Sequence, residues 1–136
     1  MNPQKFVLTA VVGGDVSFAL GGLIYAVLLA DFFARNMTAA GAMKAEPLYH
    51  AIAISELAAA SLLTLIIGGW AKVTSAGEGA KLGAVFGLLT ATMFDFNMYG
   101  TMSIVTMTAV LADIGLFIVR FGIVGGVIGA MVARKS

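Results

Sequence analysis

Four ionisable side chains interrupt stretches that are otherwise apolar: Asp15, Glu56, Asp113 and Arg120. A hydrocarbon environment tolerates such groups only when they are paired, wetted or neutralised, so each marks a place where binding or proton chemistry has to be arranged. Three acids set against one arginine leave excess negative charge, and a buried site with that balance needs a protonated carboxyl or a bound cation. Asp113 and Arg120 are seven residues apart, nearly on one helix face. Helical side chains lean toward the N-terminus, so Arg120 points toward Asp113 across roughly 10 Å, a gap for a water or for a carboxylate from another helix. Two readings stay open: polar glue that fixes helix register, or a proton- or ligand-binding site. Asp95 and Asn97, within FDFNMYG, form a secondary polar pair read as capping or shaping the following turn.

Other chemistries find little support. With no cysteine there are no disulfides, thiolate metal sites or cysteine nucleophiles. His50 and the methionines Met37, Met43, Met93, Met98, Met102 and Met107 gather toward one side, a soft donor set that copper(I) would accept, but methionine in such helices is more often packing. No metal site and no cofactor is expected. Gly13–Gly14 and Gly21–Gly22 lie inside an apolar helix and are no dinucleotide fingerprint. A net charge of +1 offers no basic patch for nucleic acid.

The elements that must hold these groups are membrane-spanning helices. Hydrophobic residues make up 60% of the chain and charged ones 11%, against about 25% charged in soluble domains. The expected architecture is one all-α domain over residues 1–136, a bundle of four transmembrane helices at about 6–33, 48–71, 82–98 and 104–132. The first apolar run exceeds the core of a signal peptide and reads as a retained span. Small residues Gly14, Gly21, Gly22, Ala26 and Ala30 line one stripe of it. Pro47 suits the opening turn of the second helix, and Trp70 marks its interfacial end. KVTSAGEGAK at 72–81 reads as a soluble loop with Gly77 and Gly79 as turn residues, and Tyr99–Gly100–Thr101 reads as the hairpin before the last helix. The last span is longer than a bilayer requires, so its opening SIVTMT belongs at the interface or the helix tilts. Lys5, Lys72, Lys81, Arg134 and Lys135 fall on one side against Arg35 and Lys44 on the other, which places both termini in the cytoplasm. The G-x-x-x-G pairs Gly83/Gly87, Gly122/Gly126 and Gly125/Gly129 are close-packing surfaces.

The segments GGLIYAVLLADFF, EGAKLGAVFGLLTATMFDFNMYGT and TMTAVLAD together resemble small four-span bacterial membrane proteins known only as a domain of unknown function. The resemblance implies a four-helix integral membrane fold in the bacterial cytoplasmic (inner) membrane, and no activity. It also implies that Asp95 and Asp113 occupy the family's acidic positions, whereas Glu56 stands where an uncharged amide is expected. Small multidrug exporters offer a looser analogy of size and topology, with an acid in the first span as Asp15 is here. The leading expectation is a non-enzymatic accessory or scaffold subunit, or a bundle that self-assembles through its glycine faces. Its partners are the lipid bilayer and a second copy or larger membrane complex. The alternative is a proton-coupled small transporter or lipophilic-ligand binder using Asp15, Glu56, Asp113 and Arg120. An intramembrane enzyme working by carboxylate acid–base chemistry ranks third.

Overall fold

Asn2 and Pro3 start the first helix: the Asn2 side chain accepts the Lys5 amide proton at 2.8 Å, and Pro3 occupies a first-turn position where its missing N–H costs nothing. In the computed structural model, which describes residues 1–39 and 41–134, this helix, α1 (Pro3–Gly21), continues into a π-helical segment, Gly22–Leu28. The chain bends at Leu29 and ends the rod with the short α2 (Ala30–Arg35). The wide π turns shift the register of the side chains that follow, Tyr25 among them. A second rod, α3 (Tyr49–Thr64) with the π-helical segment Leu65–Trp70, is followed by two long helices, α4 (Ala76–Thr101) and α5 (Met107–Ala133). The described residues are thus all-helical apart from one isolated β-bridge. Pro3–Leu28, Tyr49–Trp70 and Met107–Ala133 are each long and apolar enough to cross a membrane. Lys135, assigned above to the inner side, lies outside the described residues.

Several boundaries differ from the sequence expectation. Residues 72–81 are not a loop throughout: α4 starts at Ala76, and Gly77 and Gly79 are helical. The cause is a capping pair. Ser75 Oγ accepts the Glu78 amide at 3.2 Å while Glu78 Oε2 accepts the Thr74 amide at 2.8 Å, satisfying two amide donors at the helix start. Ser75→Ala is expected to cost about 1 kcal/mol in reversible unfolding, with Thr74→Ala, which keeps the Glu78 contact to its own amide, costing less. The hairpin expected at Tyr99–Thr101 comes later. The helix runs on through Thr101, whose hydroxyl bonds the Asn97 carbonyl at 2.7 Å, and residues 102–106 make the turn. Ser103–Thr106 are therefore not the opening turn of α5. Pro47 stands two residues ahead of α3 rather than in its first turn. The first rod reaches Arg35, two residues past its expected end at 33.

The four rods pack in two steps. α4 and α5 form an antiparallel pair in backbone contact, and α1 lies against both α3 and α5. The apolar core is Leu63, Ile67, Val73, Phe121, Val124 and Ile128. The exterior is apolar as well: Leu8, Val27, Ile54, Leu89, Phe94, Leu111 and Val119 all stand exposed, as suits helices that face lipid. At the other end Lys5 donates its ammonium protons to the carbonyls of Val132, at 3.0 Å, and Arg134, closing the C-terminal turn of α5 with a cation.

Candidate functional site

Arg120 is buried, with 4% of its surface exposed, where α1, α3 and α5 meet. Its Nη1 donates to Glu56 Oε1 at 2.8 Å and reaches the Ser17 carbonyl and hydroxyl at 3.3 and 3.4 Å. Ser17 Oγ in turn donates to Glu56 Oε2, so both carboxylate oxygens are held. The guanidinium has the rings of Phe117, Phe121 and Tyr25 at 4.6, 4.8 and 5.8 Å from its carbon, a cation–π setting. Gly21 makes room for it, because a Cβ there would lie 2.9 Å from Nη1. One acid meets one cation here, so this part of the interior is electrically balanced. Nε alone is buried without a partner.

The other acids are not gathered by Arg120. Asp15 is exposed on the far side of α1, with no ion pair or hydrogen bond among the described residues. Asp113 accepts the Tyr25 hydroxyl at 2.5 Å, and the Tyr25 ring fills the gap between Asp113 and Arg120. Neither Ser17 nor Tyr25 had been singled out from the sequence.

A second polar group lies where α4 ends and α5 begins, and Asp95 is its centre. Asp95 is not in a turn but on the buried stripe of α4, which reads Gly79, Gly83, Gly87, Ala91, Asp95 at intervals of four. The facing side of α5 has the same period: Ala109, Asp113, Phe117, Phe121, Gly125, Gly129. Gly79 sits over Gly125 and Gly129, Gly83 over Phe121 and Gly125, and Gly87 over Phe117. That register carries Asp95 to Ala109, one turn from Asp113 on the same face of α5. Where glycine gives way to alanine and aspartate a cavity of about 170 Å³ opens, lined by Phe33, Asp95, Met98, Val105, Ala109, Val110 and Asp113. Asp95 is 8% exposed, and its Oδ2 has no hydrogen-bond partner.

No family model, curated protein or solved structure matches this chain.

One wall residue of the cavity, Val105, is held by a short bridge. Thr38 N–H donates to the Ile104 carbonyl at 2.9 Å, Thr106 N–H to the Asn36 carbonyl at 3.1 Å, and Thr106 Oγ1 to Asn36 Oδ1 at 2.8 Å. These bonds pair Met37 with Val105 and tie the first connection to the α4–α5 turn directly beside the cavity wall. Asn97 is exposed on α4, away from the cavity, as His50 is on α3. Met98 is the one of the six outer methionines that lines the cavity, and among the described residues no three His, Asp or Glu side chains are grouped to hold a metal. The glycines Gly83, Gly87, Gly125 and Gly129 are occupied by the α4–α5 contact, with Gly122 and Gly126 above Ala84 and Ala80. Gly79 belongs to the same contact and had been read as a turn.

Tyr25 joins the two polar groups, its hydroxyl on Asp113 and its ring toward Arg120. Tyr25→Phe keeps the ring and removes the proton donor. A loss of about 2 kcal/mol in unfolding free energy is expected, the size of a hydrogen bond to a charged acceptor. A loss below a few tenths would mean the hydroxyl is not held there.

Proposed function

We propose that this chain is a four-span protein of the bacterial cytoplasmic membrane, with both termini inside, whose outer half contains a proton- or ligand-binding site made by Asp95, Asp113 and Tyr25. Arg120, Glu56 and Ser17 are its structural support. The reading rests on one observation above the others, the unpartnered Asp95 oxygen on the wall of a cavity that a second carboxyl also lines. Buried polar atoms are almost always satisfied, and the exceptions are candidates for binding groups. The scaffold reading loses support because the glycine faces that would recruit a partner are taken up between α4 and α5. The fourth crossing is α4, whose 26 residues are sufficient in length and whose Val85, Leu89, Met93 and Phe94 face outward. The resemblance to four-span bacterial proteins, with acids in the last two spans, agrees with this assignment.

Difference infrared spectroscopy of the protein in lipid nanodiscs tests the site. A protonated-carboxyl band that titrates with pH is expected in the parent chain and in Glu56→Gln. It is expected to be absent from both Asp95→Asn and Asp113→Asn. Retention of the band in both of these variants would overturn the assignment. The absence of native cysteine makes topology equally accessible. Single cysteines at Met43 and Ser103 should react with an impermeant reagent added outside intact cells, and ones at Gln4 and Gly77 should not.

A further inference from the structure

We infer that the Asp95–Asp113 cavity takes a small organic ammonium ion, which enters in exchange for a proton held between the two carboxyl groups. This rests on the binding site proposed above and names its substrate class. Size sets the first limit. At about 170 Å³ the cavity is several times the roughly 30 Å³ share of one water and below the 300–1,000 Å³ of drug-sized pockets, so the occupant has a few heavy atoms.

Lining chemistry sets the second. Hard metal cations require about six or more oxygen ligands, whereas this wall supplies two carboxyl groups and otherwise carbon and one thioether. Phe33 adds an aromatic surface, and Val105, Ala109 and Val110 add apolar ones. An alkylammonium satisfies both halves of this wall: its N–H groups donate to Asp95 Oδ2 and Asp113, and its carbon chain lies against the apolar side chains.

Charge sets the third. The groups facing the pair are Tyr25 from the first rod, which donates to Asp113, and Arg120 farther along α5, which Glu56 already neutralises. Phe33 of α2 and Met98 of α4 bring no charge, and neither does Val105 of the connecting turn. Two carboxyl groups on the wall of one small cavity hold one proton between them, giving the pair a single negative charge. When R–NH₃⁺ enters, that O–H bond breaks, the proton leaves to solvent, and two carboxylates face one cation. The site's net charge is then the same before and after, so neither state buries an uncompensated charge beyond the first.

The test is calorimetric titration of n-propylammonium chloride into the full chain in nanodiscs at two pH values in weakly buffered solution. Sodium chloride and n-propanol serve as controls, and the infrared titration is run on the same samples. Expected results are saturable binding of propylammonium alone, release of one proton per ligand, and binding about tenfold or more weaker in Asp95→Asn. Ala109→Leu, which fills the cavity and leaves both carboxyl groups in the chain, should also abolish binding while its melting temperature reports folding. Equal binding of sodium or propanol, or binding without proton release, overturns the inference. A carboxyl band that titrates while propylammonium fails to bind refutes the substrate class and leaves the site standing, whereas loss of both refutes the two together.

Discussion

Arg120→Met is expected to lower the free energy of unfolding by about 3–5 kcal/mol, and Glu56→Leu in the same chain to restore most of it. The reason is asymmetry. Removing the guanidinium leaves Glu56, whose side chain is 12% exposed, with only Ser17 to hold it inside the bundle. Removing both charges leaves a volume that Met and Leu fill with carbon, against Phe117 and Phe121, which already pack there. A buried ion pair gains little over apolar residues of the same volume, while half of one is strongly unfavourable. Ser17→Ala should fall between, because Arg120 still reaches the Ser17 carbonyl and Glu56 Oε1. The measurement is reversible unfolding in mixed micelles for the two single variants and the double. If the double loses the sum of the singles, the two residues do not form a unit and the network is wrongly assigned. The Asp95–Asp113 site is a separate readout, since neither side chain lines the cavity.

That pairing shows which parts of the interior were legible from composition and spacing. Rise per residue gives the height of a group in a span, and on height alone Asp15, Glu56, Asp113 and Arg120 can all belong to one cluster. Height does not give direction. Gly13, Gly14 and Ser17 lie on the face of α1 turned toward α3 and α5, and Asp15, two residues from Ser17 and about 200° around the helix, faces outward. The spacing of Gly14 and Gly21 already marked that face, and Asp15 is not on it. Ser17 carried no signal beyond its place on the stripe, since a single hydroxyl in an apolar helix normally bonds its own backbone, as Ser61 and Thr64 do here at 2.7 Å.

Tyr25 was hidden for a different reason. It lies in a π-helical segment, where one extra residue per turn displaces every later side chain from the phase that a 3.6-residue period predicts. By contrast the start of α4 is legible in the sequence, against the turn expected at Gly77 and Gly79. Ser75-Ala76-Gly77-Glu78 is a capping sequence that outweighs the two glycines as turn signals. The period-four row ending in Asp95 was also present in the sequence, and the FDFNMYG context drew attention to the turn instead of the face.

Gly83→Ala is the second large effect, expected to cost about 3 kcal/mol or more, at the upper end of what overpacking does. A Cβ at Gly83 would collide with the Phe121 carbonyl oxygen and lie 2.9 Å from Gly125 Cα. Both obstacles are backbone, so no side chain can swing aside and α5 itself has to retreat. Helix propensity pulls the other way by at most about 1 kcal/mol and does not decide the sign. Gly122→Ala supplies the contrast on the same pair of helices: its nearest neighbours, Ala80 O and Ala84 Cβ, are 3.8 Å away, so a methyl fits and the propensity gain should leave the variant neutral or slightly more stable. Gly13→Ala is intermediate, because the obstruction 2.9 Å away is the Ile128 Cδ1 methyl, the far end of a flexible side chain. The contrast between Gly83 and Gly122 in one unfolding assay is therefore a measurement of the α4–α5 register, with Gly13 reporting the contact of α1 with α5. The same register sets Asp95 against Asp113, so separating the helices at Gly83 should also weaken the carboxyl pair three turns away. A Gly83→Ala variant as stable as Gly122→Ala would mean that the helices do not touch there, and the juxtaposition of the two acids would lose its support with them.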